Sequence, residues 1–207
     1  MSDKAAEVMR MFGVTADMVA KEGLNYSCKL DIRAGDVVYI TGPSGAGKSV
    51  LLRELEKSIP HEERVNLDEI PLPADKAVID CVEGDFFQSL KLLSIAGLND
   101  VFCVLKAPAD LSEGQKYRFR LAVALASGRK FIFADEFCSN LDRVTAAVIS
   151  YNIRRFAKRM GVTFILAGSS DDVPADLQAD VLVERELGGG AEVIYKSSAR
   201  QKSMGDC

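Results

Sequence analysis

The sequence predicts an α/β domain built on a mainly parallel sheet with helices on both faces. Three observations carry this. The apolar runs 37–40 and 131–134 are continuous rather than alternating, the pattern of strands buried on both faces, and 163–167 is a further strand candidate. Helical patterns over 48–58, 85–96, 114–126 and 142–159 fall between them, and strands alternating with helices make parallel sheets. The chain has 207 residues, 48% of them apolar and 27% charged, which suits one soluble domain able to bury a core without metal or disulfide support.

In order along the chain, residues 1–23 place Ala6, Met9, Met11, Val14, Met18 and Val19 at weakly helical spacing. Residues 24–32 alternate Leu24, Tyr26, Cys28, Leu30 and Ile32 with polar neighbours, predicting a half-buried strand. A turn over 33–36 leads into the buried strand 37–40, a Gly-rich loop and the helix 48–58. A further strand is expected over 77–82. Segments 181–187 and 191–196 flank Gly188, Gly189 and Gly190 and read as a hairpin. The polar stretch 197–207 reads as a disordered tail. There is no internal repeat.

Lysine and arginine total 26 against 30 acidic residues, a net charge of −4, so bulk electrostatics do not favour a polyanionic partner. Five cysteines, Cys28, Cys81, Cys103, Cys138 and Cys207, are scattered without C-x-x-C spacing, which suits a reducing compartment. With no leader-like or membrane-spanning run, a cytoplasmic protein is expected. The single histidine, His61, lies in a polar connector and reads as a surface residue.

Two segments carry chemistry. Gly42-Pro43-Ser44-Gly45-Ala46-Gly47-Lys48-Ser49 matches G-x-x-x-x-G-K-[ST] between a buried strand and a helix that continues through Val50. Glycines let successive N–H groups face phosphate oxygens, and the helix N-terminus adds partial positive charge. Lys48 is the candidate for the β- and γ-phosphates and the Ser49 hydroxyl for Mg²⁺. The run 131–134 ends in Asp135 and Glu136. In a phosphate-loop fold such a strand is expected beside the loop strand, with Asp135 holding Mg²⁺ and Glu136 polarising the attacking water.

Leu111-Ser112-Glu113-Gly114-Gln115 resembles the LSGGQ signature of ABC (ATP-binding cassette) ATPases, with Glu113 in the third place. Asn140-Leu141-Asp142 follows Glu136 as the family's D-loop does, so four motifs stand in family order over residues 24–187. The resemblance implies a P-loop NTPase cassette of residues 1–196, with an N-terminal antiparallel β part and a shortened helical, signature-bearing part over about 83–127. It implies ATP and Mg²⁺ as ligands, ATP hydrolysis, and a head-to-tail homodimer. There Ser112, Glu113, Gly114 and Gln115 meet the partner's ATP, and Asp142 sits across the interface. The chain resembles small stand-alone cassettes without a membrane domain.

Three features depart from the family. Ser170 stands where its members carry a switch histidine, which implies slow hydrolysis. Gln88 and Asp80 are both candidates for the glutamine that touches Mg²⁺. Phe12 and Tyr26 are both candidates for the adenine platform. Alternative readings are the nucleotide-binding subunit of a transporter and a DNA-maintenance ATPase. The latter would use Lys116, Arg118, Arg120, Arg154, Arg155, Lys158 and Arg159 as a basic face. A small kinase is the remaining class, and it has no use for a signature or a D-loop.

Overall fold

A computed structural model describes residues 2–12, 30–168, 176–187 and 190–196. Six strands form one sheet in the order β2-β3-β4-β1-β5-β6: β1 Val37–Thr41, β2 Arg64–Asn66, β3 Phe131–Ala134, β4 Thr163–Ala167, β5 Val181–Arg185 and β6 Ala191–Tyr195. All neighbours pair parallel except β5 and β6, which form the expected hairpin. The helices are α1 Asp3–Phe12, α2 Lys48–Lys57, α3 Phe86–Ile95, α4 Val101–Val104, α5 Glu113–Ala126 and α6 Arg143–Met160.

The β1 strand shows why the central runs are continuous. Val37 and Tyr39 enter one core with Phe119, Ile132, Ile149 and Phe164, while Val38 and Ile40 enter another with Leu52, Phe133, Ile165 and Val183. With both faces dry, no polar alternation survives. Asp180 fixes where β1 begins: it accepts the Val37 N–H at 3.0 Å and pairs with Arg154 and, at 3.2 Å, Lys158 of α6. Burial pushes its carboxyl up, but the bonds from Arg154, the Val37 N–H and Lys158 outweigh that and leave it below the ordinary value.

Several expectations need correcting. Residues 77–82 are not a strand. Val78–Cys81 is a 3-10 turn, anchored by the Val78 N–H on the Lys106 carbonyl at 2.9 Å, and the sheet edge is taken instead by the three-residue β2. Leu30 to Ile32 form no strand either, and the rest of 24–32 lies outside the described residues, as do Tyr26, Ser170 and the tail 197–207. Among the described residues the antiparallel pair is the C-terminal hairpin. The acidic strand β3 is not beside β1: β4 lies between them. The α6 crossover from β3 returns as a parallel neighbour, and that neighbour takes the slot against β1.

Candidate functional site

The sheet order puts the C-terminal ends of β1, β3 and β2 on one edge, where parallel α/β sheets bind ligands. The loop after β1 exposes Pro43, Ser44 and Gly45 at its tip and buries Ala46 beneath. Gly47, at φ 79°, is the N-cap of α2. At Gly45 an added Cβ would meet nothing within 4 Å, so the outer face of the loop is open to a ligand. Lys48 Nζ donates to the Gly42 and Pro43 carbonyls at 2.8 and 2.9 Å, folded over the loop it would release to grip phosphates. Ser49 and Val50 occupy the first turn of α2, Val50 largely exposed.

After β3 the chain turns sharply. Glu136 adopts φ 46° and Cys138 φ 59°, while the Phe137 N–H bonds the Ala167 carbonyl at 2.7 Å. Left-handed backbone at non-glycine residues is uncommon and strained, and here it turns the exposed Glu136 outward while Phe137 and Cys138 enter the core. The Glu136 N–H donates to Asp135 Oδ1 at 3.0 Å. Burial pushes the Cys138 thiol up to about 12, so it stays protonated.

Ser112 is the N-cap of α5, and Gln115 reaches back to its N–H at 3.0 Å while also contacting Cys103 Sγ at 2.9 Å. Gly114 is a close-approach glycine: an added Cβ would lie 3.2 Å from the Asn140 carbonyl and 3.3 Å from Leu141. The signature is therefore seated on the D-loop. Asp142 caps α6 by accepting from the Thr145 N–H at 3.0 Å and its hydroxyl at 2.6 Å, and these bonds hold its carboxyl below the ordinary range.

A pocket of about 210 Å³ gathers these parts: Glu113 from α5, Asp135 and Glu136 from the end of β3, Asn140, and two residues the motifs do not mark, Asp68 and Arg120. Asp68 follows β2 directly in a 3-10 turn. Its carboxyl is raised by burial first, with Asp135, Glu136 and Glu69 adding and Arg120 opposing. Gln88 and Asp80 stand elsewhere. Gln88 closes the capping box of α3 with Asp85, and Asp80 is exposed in the 3-10 turn. Phe12 ends α1. His61 is exposed, as expected.

The donor set suits Mg²⁺. Among the described residues no three acidic, cysteine or histidine side chains cluster to hold a metal unaided. Mg²⁺ on a nucleotide needs only one or two protein oxygens besides phosphates and water, and the Ser49 hydroxyl and Asp135 carboxylate are oxygens of the kind it would take. The cation would neutralise phosphate charge, leaving Lys48 and the loop N–H groups to orient the chain of phosphates and Glu136 to align water.

A family model described as ABC transporter matches residues 26–83. The chain is 32% identical over 197 residues to protein STAR1 of Oryza sativa subsp. japonica, covering 80% of this chain and 57% of that protein. To the maltose/maltodextrin import ATP-binding protein MalK of Salmonella typhimurium it is 31% identical over 212 residues, covering 86% and 54%. Its fold matches a solved dimeric bacterial ABC transporter cassette, MJ0796, with a TM-score of 0.67, 19% identity, and coverage of 82% of this chain and 89% of that one. The chain is an ATP-binding cassette. It spans little more than half the length of these curated relatives. Among its described residues no helix is long and apolar enough to cross a membrane.

The basic residues of the cassette's helices are largely engaged within it. Arg118 binds the Gly114 and Gly97 carbonyls, Lys116 pairs with Glu113, Arg154 and Lys158 pair with Asp180, and Arg155 lies over the Tyr151 ring.

Proposed function

We propose that this ATP-hydrolysing cassette, residues 1–196 with its signature part over 83–127, turns over Mg-ATP in a head-to-tail homodimer. Gly42 to Val50 of one protomer bind the triphosphate, Ser49 and Asp135 hold Mg²⁺, and Asp68 contributes a further carboxylate. Glu136 polarises the attacking water, Lys48 stabilises transferring charge, and Ser112 to Gln115 of the partner close the site with Asp142 across the interface. One observation carries this reading. The α5 N-terminus, whose Glu113 and Gly114 N–H groups are not taken by the Ser112–Gln115 capping box and can face an anion, is braced on the D-loop through Gly114 and shares a pocket with Asp135 and Glu136 to which no phosphate-loop residue contributes. In this reading the phosphate loop and the signature of one chain belong to two different sites, and a two-fold axis completes both. Ser170 cannot become cationic as a histidine can, so turnover is slow.

Glu136→Gln keeps side-chain size and removes the base, which should lower the hydrolysis rate about 10²–10⁴-fold and trap an ATP-bound dimer in gel filtration. A variant that stays monomeric at saturating Mg-ATP sinks the sandwich. Single-turnover hydrolysis of the unaltered chain tests the slow step, and a rate matching histidine-bearing cassettes refutes the role of Ser170.

A second reading, the nucleotide-binding subunit of an importer on the cytoplasmic side of a membrane, is favoured by the similarity to MalK, a maltose/maltodextrin import ATP-binding protein. The apolar exposure of Phe86, Phe87, Val101, Phe102 and Leu105 on α3 and α4 supports it. Co-purification with a membrane protein distinguishes this role.

A further inference from the structure

The alternation of β5 holds an anomaly. Val181 and Val183 are fully buried and enter the core beside α2, Glu184 is exposed, and the next inward position is Arg185, 8% exposed. A guanidinium placed in an apolar stripe is costly unless bonded, so its partners state its purpose. The register of β5 against β1 pairs Thr41 with Glu184, which puts Arg185 level with Gly42, the first residue of the phosphate loop. The side chain runs under that loop: Nε donates to the Ala46 carbonyl at 3.1 Å, and one terminal nitrogen stands 3.2 Å from where a Cβ on Gly47 would be.

The carbonyl of Ala46 and the N–H of Gly47 belong to one planar trans peptide and point in opposite directions. Holding that carbonyl down on Arg185 aims the Gly47 N–H up, toward the face where phosphate binds. The guanidinium also cannot be deprotonated and supplies a fixed positive charge behind a loop whose task is to hold an anion. We propose that Arg185 is a positioning residue for the nucleotide, fixing the Ala46–Gly47 peptide and contributing charge from beneath. This rests on the reading of residues 42–49 as the ATP site and adds a residue outside every motif of that site.

The test is equilibrium binding of Mg-ADP to the full chain, with unfolding temperature and steady-state kinetics measured alongside. Arg185→Met keeps an unbranched apolar stem and removes both charge and donors. Loss of a charged hydrogen bond predicts roughly 10-fold or greater weakening of Mg-ADP, a matching rise in KM for ATP, and kcat changed less than about threefold. Arg185→Lys keeps charge and one donor and should recover affinity to within about threefold. Met within twofold of the unaltered chain overturns the proposal, as do Met and Lys weakened equally. Should Arg185→Met fail to fold by circular dichroism, Arg185→Gln is read in its place: at least threefold weakening supports the role and unchanged affinity refutes it. If the unaltered chain itself binds no Mg-ADP, the failure belongs to the nucleotide-site reading, not to Arg185.

Discussion

Gly42→Ala tests how firmly the phosphate loop is seated on β5. An alanine methyl there would stand closer than 3.0 Å to the Arg185 carbonyl oxygen, with the carbonyl carbon at 3.1 Å and Cβ at 3.2 Å. These are atoms at the end of a paired strand and cannot swing aside as a long side chain does. The φ of 139° at Gly42 is also one that L-residues avoid. Overpacking costs about 1–3 kcal/mol and such a backbone about 1–3 kcal/mol, so about 2–6 kcal/mol is expected together. Gly45→Ala is the internal control. It shares the loop and a positive φ of 82° but has nothing within 4 Å, so it carries only about 1–2 kcal/mol of backbone strain. At about 2–4 °C per kcal/mol for a chain of this size, Gly42→Ala should melt at least about 4 °C below the parent and well below Gly45→Ala in nucleotide-free scanning fluorimetry. Equal drops for the two variants would refute a rigid seat, and with it the structural half of the argument for Arg185.

Asp180→Asn removes a charged acceptor shared by the Val37 N–H, Arg154 and Lys158 and should cost about 1–3 kcal/mol in urea unfolding at pH 7. Because the folded carboxyl titrates below its ordinary 3.8, its contribution is complete above that pH and is lost as pH falls through the lowered folded value. The gap to Asn should therefore close in acid, and a gap independent of pH would refute the ionic account. Asp68→Asn runs the other way. With its carboxyl raised by burial and by Asp135 and Glu136, the ionised form opposes folding at neutral pH. The variant should melt higher at pH 7, lose that gain where Asp68 is protonated, and need more Mg²⁺ for half-maximal hydrolysis. A variant that melts lower at pH 7 contradicts the desolvation argument.

What the sequence made legible follows from where water is excluded. The runs 131–134 and 163–167 match β3 and β4 residue for residue, the first bounded by Lys130 and Asp135 and the second by the glycines Gly161 and Gly168 close to its ends. The helical pattern over 85–96 matches α3 to within a residue at each end. The run 77–82 misled because so short an apolar stretch fits period 2 and period 3 equally well. The three residues of β2 are too few to show any period, and so Asp68, which depends on β2 for its place, carries no sequence signal. Sheet order was equally hidden, since nothing local tells a strand which neighbour it will take. Arg185 was hidden for a different reason: it keeps the inward alternation of Val181 and Val183, but a charged residue at a strand end reads as exposed until its bond to the Ala46 carbonyl is known.

Glu113 shows how the two half-sites are tuned against each other. As the first residue of α5 its charge is welcome to the helix dipole, yet the same N-terminus is the proposed dock for the partner's triphosphate, where a second anion repels. Lys116 resolves the conflict locally. Its ammonium lies 2.8 Å from the Glu113 carboxylate, and that hydrogen bond holds the carboxyl below its ordinary value. Glu113 is therefore ionised and neutralised together at neutral pH. To a phosphate at a distance beyond their 2.8 Å separation, the two opposite charges largely cancel, so the pair repels it far less than a lone carboxylate would. The helix keeps a favourable first-turn acid, and the anion site keeps its attraction. The departure at the third signature residue is thus compatible with triphosphate binding only because a lysine stands one helical turn behind it.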